Sequence, residues 1–149
     1  MDLKIKALSP KIGTEIPLPY YATPGSAAMD LHACLDEPLT IAPRALVSIP
    51  TGVAIALPSA DYVALVFARS GLGIKHGITL SNGVGVIDSD YRGEIRVGLT
   101  NLSDTPYTVQ PGDRVAQLAV MPVVRAQLVQ AEDLDETARG AGGFGSTGN

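Results

Sequence analysis

The chain has little aromatic character. Its 149 residues contain no Trp and are only 5% aromatic, although 46% of them are hydrophobic. A chain of this length is expected to form one domain with its own core. That core must consist mainly of Val, Leu, Ile and Ala side chains.

Cysteine and histidine are also scarce. Cys34 is the single cysteine and cannot form an internal disulfide, and the two histidines complete no zinc-ligand spacing. This favours a reducing, cytoplasmic setting. The N-terminal segment lacks the apolar run of a signal peptide, and no apolar stretch approaches the roughly 20 residues of a membrane span. We therefore expect a soluble protein with no membrane partner.

Basic residues are few and dispersed. The 11 Lys and Arg are spread along a chain of net charge −4. Because a nucleic-acid binder needs a basic face to neutralise phosphates, no nucleic-acid partner is expected. A small anion held by a few arginines stays open.

What the chain does contain is a succession of short strand signals separated by turn clusters such as Gln110-Pro111-Gly112-Asp113. This pattern predicts an all-β sandwich, jelly roll or barrel. One helix candidate begins after Ser70 and stops at Gly77. The predicted strands are Leu3 to Ala7, Leu39 to Ile41, Ala45 to Ile49, Gly52 to Leu57, Tyr62 to Phe67, Thr79 to Leu80, Glu94 to Thr100, Tyr107 to Val109 and Val115 to Val124.

The stretch GVGVIDSDYRGEI, residues 83 to 95, places glycines and acids inside an apolar run. Asp88 follows Val86 and Ile87, where a carboxylate could be fixed with limited solvent access. One interpretation is an Asx-turn that reverses the chain before Tyr91. The other is a general base that acts on a water beside an anionic substrate.

Two further segments could bind phosphate. Arg69-Ser70-Gly71 opens the helix candidate, where backbone N–H groups, a hydroxyl and an Arg could meet an anion; the alternative is a Ser N-cap beside a solvated Arg. The Gly-rich tail from Arg139 to Gly148 centres on Phe144. It is either a frayed terminus or a lid that orders on binding.

Lone polar residues among apolar neighbours complete the candidates. Asp30 is expected to need a partner, most simply an Arg. Gln117 alternates with Ala116 and Leu118 in a predicted strand. His32, His76 and Cys34 show no partner pattern and are interpreted as structural.

In chain order, five segments resemble the motifs of the homotrimeric dUTP pyrophosphatases (dUTPases): PGSAAMDLHA, ARSGLGIKHG, GVIDSDYRGEI, PGDRVAQL and RGAGGFGSTG. They span Pro24 to Gly148. The resemblance implies an all-β subunit, a β-clip or jelly-roll-like barrel with at most one very short helix, over residues 1–136. It also implies a flexible arm over residues 137–149 that closes a neighbouring subunit's active site, and a homotrimer with its sites at subunit interfaces.

The same resemblance implies hydrolysis of dUTP to dUMP and pyrophosphate, which keeps uracil out of DNA and supplies dUMP for thymidylate synthesis. Asp88 would be the catalytic residue that activates the water attacking the α-phosphate. Asn82 and the hairpin from Gly83 to Ile87 would read uracil, and Tyr91 would exclude a 2′-hydroxyl. The implied substrate-binding residues are Arg69, Ser70, Gly71, Asn82, Gly85, Val86, Ile87, Tyr91, Arg96, Gln117, Arg139, Phe144, Ser146 and Thr147.

Mg²⁺ is the implied cofactor. It would ride on the triphosphate without a direct protein ligand, with Asp30 acting through water or through structure. Two departures, Ala28 for the family's usual Gly and Ala68 for its common Pro, concern local backbone shape. The alternatives are a dCTP deaminase-type enzyme of the same fold and a non-catalytic nucleotide-binding regulatory module.

Overall fold

The computed structural model describes residues 1–143, which form eleven strands and one seven-residue helix. In chain order these elements are β1 (Lys4–Ala7), β2 (Met29–His32), β3 (Leu39–Ile41), β4 (Leu46–Pro50), β5 (Val53–Ala56), β6 (Tyr62–Phe67), α1 (Ser70–His76), β7 (Ile78–Leu80), β8 (Gly85–Ile87), β9 (Arg96–Asn101), β10 (Tyr107–Val109) and β11 (Arg114–Pro122).

All pairings between these strands are antiparallel. The largest sheet has the order β2-β11-β6-β8, a second has the order β4-β9-β7, and β1-β5 and β10-β3 form two-stranded sheets. The nine-residue β11 pairs with β2 on one side and β6 on the other. This arrangement confirms the all-β, jelly-roll-like fold class with one very short helix.

The core lies between the sheets and matches the expected composition. Every buried hydrophobic residue of the described chain is Ile, Leu, Val or Ala, and the cluster is continuous across the sheets. Leu31, Ile49, Leu99 and Leu118 are among its largest fully buried side chains. Burial of these side chains, at about 1.5–3 kcal/mol each, drives the sheets together.

Each of the nine predicted strands is present, with ends displaced by no more than a few residues. Two strands, β2 and β8, were not predicted. Asp30 and His32 interrupt the alternation of β2, and Gly85 weakens that of β8. Both strands form because β11 and β6 supply long-range partners that local propensity does not reveal.

The helix α1 corrects one prediction. Its N-cap is Arg69, in an extended conformation and without a side-chain capping bond, so Ser70 is the first helical residue and the Ser N-cap interpretation is wrong. The predicted stop is confirmed: Gly77 adopts the left-handed conformation with φ 67°. That conformation suits glycine because it carries no Cβ.

Beyond β11 the chain is exposed. Residues 123–142 contain no helix or strand, and a backbone bond from Val123 N to the Asp61 carbonyl (2.8 Å) holds their start. In the part of the chain that the structure describes, no helix has the length and apolarity required to cross a membrane. The division into residues 1–136 and 137–149 stays a prediction.

Candidate active site

A cavity of about 270 Å³ opens where β8, the loop after it and β9 meet. Seven of the predicted residues line it: Asn82, Gly85, Val86, Ile87, Asp88, Tyr91 and Arg96. The sequence did not single out its other lining residues, which are Val66, Leu80, Glu94, Ile95, Val97 and Gly98. The apolar members alternate in strands and read as ordinary core, so only the register of β6, β7 and β9 reveals them.

Strand β8 forms one wall of this cavity. It pairs with β6 through Ala64↔Ile87, Leu65↔Val86 and Val66↔Gly85, and it is an edge of its sheet. An edge strand leaves a row of backbone N–H and C=O groups without strand partners. Those groups are available to a ligand in the cavity.

The turn before β8 differs from the implied hairpin. In the described chain β7 pairs with β9 and β8 with β6, so the segment from Ser81 to Val84 connects two sheets instead of two paired strands. Asn82 nevertheless lies beside Gly85: a Cβ built on Gly85 would be 3.8 Å from Asn82 Nδ2 and 3.0 Å from Val66 Cβ. Glycine therefore keeps this wall thin.

Asp88 lies at the mouth of the cavity and is exposed, so the expected limited solvent access is wrong for the single chain. The chain does turn here, with Tyr91 N donating to the Asp88 carbonyl at 3.2 Å. The Asx-turn is not formed, because the Asp88 carboxylate makes no hydrogen bond within residues 1–143. Its two oxygens are free to bind a water.

Tyr91 folds back over Gly93. The Tyr91 hydroxyl donates to the Glu94 carbonyl at 2.9 Å. A Cβ on Gly93 would lie only 2.6 Å from Tyr91 Cζ, so glycine is what allows the ring to rest against the main chain. The ring thereby becomes a fixed wall of the cavity.

Arg96 is held by three polar contacts. Its Nε donates to Ser48 Oγ (3.0 Å), its Nη2 to the Ser48 carbonyl (3.2 Å) and its Nη1 to Glu94 Oε2 (3.0 Å). Arg96 is one of the implied substrate-binding residues, and it lines the cavity. Its guanidinium is tied to strand β4 and Glu94, which makes it a rigid border.

A second polar cluster surrounds Asp30. The Asp30 carboxylate is almost fully buried, and it accepts from Arg69 Nε at 3.0 Å and from Arg114 Nη1 at 3.3 Å. The expected Arg partner of Asp30 is thus confirmed, and the solvated-Arg interpretation of Arg69 is wrong. Gln117 is the strand partner of Asp30, and Ser70 and the exposed Gly71 follow Arg69. Two cations sharing one anion leave a net positive cluster.

The cavity and this cluster lie apart within one chain. Ile87 pairs with Ala64, whereas Arg69 is five residues further along the extended chain of β6. At about 3.3 Å per residue, Arg69 lies about 17 Å from the Ile87 end of the cavity, next to Asp88, and about 10 Å from its Val66 end. The Asp88 end of the cavity and the Arg69 cluster are therefore separate half-sites within one chain.

The remaining titratable candidates are His32, His76 and Cys34, and the two histidines pack against aromatic rings. His32 is buried and stacks on Tyr20, with ring centroids 5.9 Å apart, and burial lowers its pKa. His76 packs against Tyr107, and Cys34 is a free thiol. Among residues 1–143, no three His, Cys, Asp or Glu side chains are grouped so that they could hold a metal ion.

The predicted arm is described only in part. Arg139 is exposed and its Nε donates to the Gly142 carbonyl at 2.8 Å. The predictions for Phe144, Ser146 and Thr147 lie outside the described residues.

Comparison with known proteins shows the family to which the chain is similar. The dUTPase family model matches residues 14–148. A deoxyuridine 5′-triphosphate nucleotidohydrolase of Idiomarina loihiensis is 53% identical over 99% of this chain and 97% of its own. The Staphylococcus bacteriophage 80alpha dUTPase, solved with dUPNHPP, has a TM-score of 0.86 at 26% identity and covers 99% of both chains. A mutant dUTPase of S. aureus phage phi11, solved with a structural Mg(II) ion, has a TM-score of 0.79 at 22% identity, over 91% of this chain and 100% of its own.

The family model runs through both half-sites, from residue 14, which precedes β2, into the Gly-rich tail. The protein belongs to the dUTPase family.

Proposed function

We propose that the protein hydrolyses dUTP to dUMP and pyrophosphate in the cytoplasm, which keeps uracil out of DNA and supplies dUMP for thymidylate synthesis. The observation that carries the proposal is the cavity in which the β8 main chain, Asp88 and Tyr91 converge. Family membership and the 53% identical relative support the same substrate.

The uracil ring lies against β8 in this proposal. Main-chain N–H and C=O groups at the sheet edge match the carbonyl and N–H pattern of uracil, and the Asn82 amide adds a further donor and acceptor. Cytosine presents an amine where uracil has a carbonyl. A site built on specific hydrogen bonds rejects such an analogue by roughly 10⁴ or more.

The deoxyribose packs on Tyr91. Because the ring is fixed by Gly93 and by its bond to the Glu94 carbonyl, it cannot move to admit a 2′-hydroxyl. This supports selection of dUTP over UTP.

Asp88 acts as the general base. Its free, exposed carboxylate binds a water, takes its proton and directs the oxygen in line at the α-phosphorus, while the bond to the bridging oxygen of pyrophosphate breaks. The Asp88→Asn variant should bind dUTP normally and lose at least about 10²-fold in kcat, because the amide cannot take the proton. Near-normal turnover would remove Asp88 from this role.

The phosphates are held by the second half-site of another chain. Ser70 must lie within about 3 Å of the α,β-bridging oxygen, and the water on Asp88 within about 3–3.5 Å of the adjacent α-phosphorus. The separation of about 17 Å between the Asp88 end of the cavity and Arg69 within one chain supports an active site at the interface of a homotrimer. Arg69, Gly71 and Gln117 bind the phosphate chain there. From an arm, Arg139, Ser146 and Thr147 add phosphate contacts and Phe144 stacks over uracil.

Mg²⁺ fits this arrangement as a cation carried by the triphosphate. Asp30, the acid of the phosphate half-site, has both carboxylate oxygens occupied by arginines and is nearly inaccessible, so it is no direct ligand. The bound cation would offset phosphate charge and fix the geometry of the chain.

The substrate assignment is tested by measuring pyrophosphate release with Mg²⁺ from dUTP, dTTP, dCTP and UTP in parallel, with ammonia assayed in the dCTP sample. Release from dUTP alone is expected. Ammonia from dCTP would contradict the proposal in favour of a deaminase, and no release from any substrate would indicate a binding module.

The interface is tested by co-expressing Asp88→Asn and Arg69→Gln chains. Each chain alone should be inactive. If one chain supplies Asp88 and another Arg69, random mixing restores about a quarter of the sites. No restored activity in mixed oligomers would place both half-sites of each active site in one chain.

A further inference from the structure

Glu94 lies between Tyr91 and Arg96, which both line the cavity, and it has no role in the proposed reaction so far. Its side chain is about one quarter exposed, and each of its carboxylate oxygens has a different partner. Oε2 accepts from Arg96 Nη1 at 3.0 Å, and Oε1 accepts from the main-chain N–H of Gly52 at 2.9 Å. The carboxylate therefore joins the cavity wall to the turn between β4 and β5.

The neighbouring main chain reinforces that junction. Thr51 Oγ1 donates to the Ile95 carbonyl at 2.6 Å, and Ile95 N donates to the Val53 carbonyl at 2.9 Å. Gly52 itself packs closely against the core, since a Cβ there would be only 2.8 Å from Cys34 Sγ and 3.0 Å from Ile12 Cδ1. Residues 94 and 95 are thus attached to a well-packed part of the core.

Glu94 also contacts Tyr91 through its main-chain carbonyl. The Tyr91 hydroxyl donates to the Glu94 carbonyl, so the position of that carbonyl fixes the height of the phenol ring. The carboxylate anchors the same residue to Gly52. A displacement of Glu94 would be transmitted to the surface on which the sugar is proposed to rest.

We propose that Glu94 is a positioning residue that sets the discrimination between deoxyribose and ribose by holding Tyr91, and that it holds Arg96 separately. The inference rests on the proposed function. It assigns the sugar selectivity to the pair Glu94 and Gly52 as well as to Tyr91.

The two roles are separable by substitution. Glu94→Gln keeps an oxygen for the Gly52 N–H and loses the charge that pairs with Arg96. It should raise KM for dUTP and leave the ratio of kcat/KM for dUTP over UTP within about twofold of the wild type. Glu94→Ala loses both contacts and should lower that ratio about tenfold, with kcat for dUTP little changed. Glu37→Gln, at an exposed acid, is the charge-matched control and should change neither quantity.

A double-mutant cycle with Tyr91→Phe distinguishes positioning from general destabilisation. If Glu94 acts through the Tyr91 hydroxyl, Glu94→Ala should change the ratio by less than about twofold in the Tyr91→Phe background. Free energies of unfolding are measured for each variant, and Glu94→Met replaces Glu94→Ala if the latter does not fold.

An unchanged ratio in Glu94→Ala, or an equal decrease in both backgrounds, would overturn the inference. A wild-type protein that releases no pyrophosphate from dUTP would instead overturn the proposed function. The two failures are therefore distinguishable in the same assay.

Discussion

Removing the charge of Asp30 should destabilise the fold and loosen the phosphate half-site together. In Asp30→Asn the amide oxygen can still accept a hydrogen bond from Arg69. The amide NH₂, however, faces Arg114, which is also a donor, so that hydrogen bond is lost. Breaking a buried ion pair typically costs about 3–5 kcal/mol when the remaining charge stays buried. Here the Arg69 and Arg114 side chains are 23% and 47% exposed, so water compensates part of the loss. We therefore expect a decrease of about 2–3 kcal/mol in the free energy of unfolding.

The assay is urea unfolding at one fixed protein concentration, since any association would make stability concentration-dependent. Asp36→Asn is the matched control: Asp36 also pairs with a cation, Lys11, but its side chain is 94% exposed. That control should unfold like the wild type, because water replaces such a surface contact. Asp30→Asn should in addition raise KM for dUTP, as Arg69 loses its fixed orientation. An Asp30→Asn protein as stable as the control would refute the reasoning that this buried pair supports the fold.

Three further predictions follow from single positions. Gly85→Ala should lower kcat/KM for dUTP about tenfold by crowding Asn82 and Val66, with Gly73→Ala, whose Cβ would meet only Ile78 O at 3.8 Å, as the neutral comparison in the same kinetic assay. Gly52→Ala should reduce the free energy of unfolding in urea by about 2–3 kcal/mol, because φ is +69° and the new Cβ would overlap Cys34; a stable variant would contradict the packing described here. Burial lowers the pKa of His32 below 6.5 in the folded state, so the contribution of neutral His32 to the free energy of unfolding is full above pH 6.5 and is lost as the pH falls. Between about pH 7.5 and about pH 5, the free energy of unfolding should therefore decrease less in His32→Phe than in the wild type. Equal decreases would exclude His32 as the source of the pH dependence.

Local patterns in the sequence predict most of the strands but not their neighbours. The alternation in Tyr62 to Phe67 locates β6 residue by residue, because one face of that strand is buried. Nothing in it indicates that β8 pairs on one side and β11 on the other. Strand order depends on contacts between distant residues, and β8, three residues with a glycine, becomes a strand only through β6.

The candidate site was predicted in part from residues that are chemically unusual for a strand and in part from the family resemblance. Asp88 was found because it interrupts an apolar run, whereas Asn82 and Tyr91 were implied by the resemblance; all three line the cavity. Val97 and Leu80 line the same cavity and could not be distinguished from core, since their chemistry is that of packing. The surroundings of Arg69 were equally hidden, because its partner Asp30 is 39 residues away in the chain.

The edge position of β8 bears on how resistance to inhibitors could arise. If the base is read by main-chain groups of this strand, every amino acid except proline offers the same N–H and C=O, and no other side-chain substitution deletes them. Escape from a uracil-based compound would have to come from bulk, such as a larger residue at Gly85, which would obstruct the natural nucleotide as well. A compound that confines itself to that edge would leave the protein few viable substitutions.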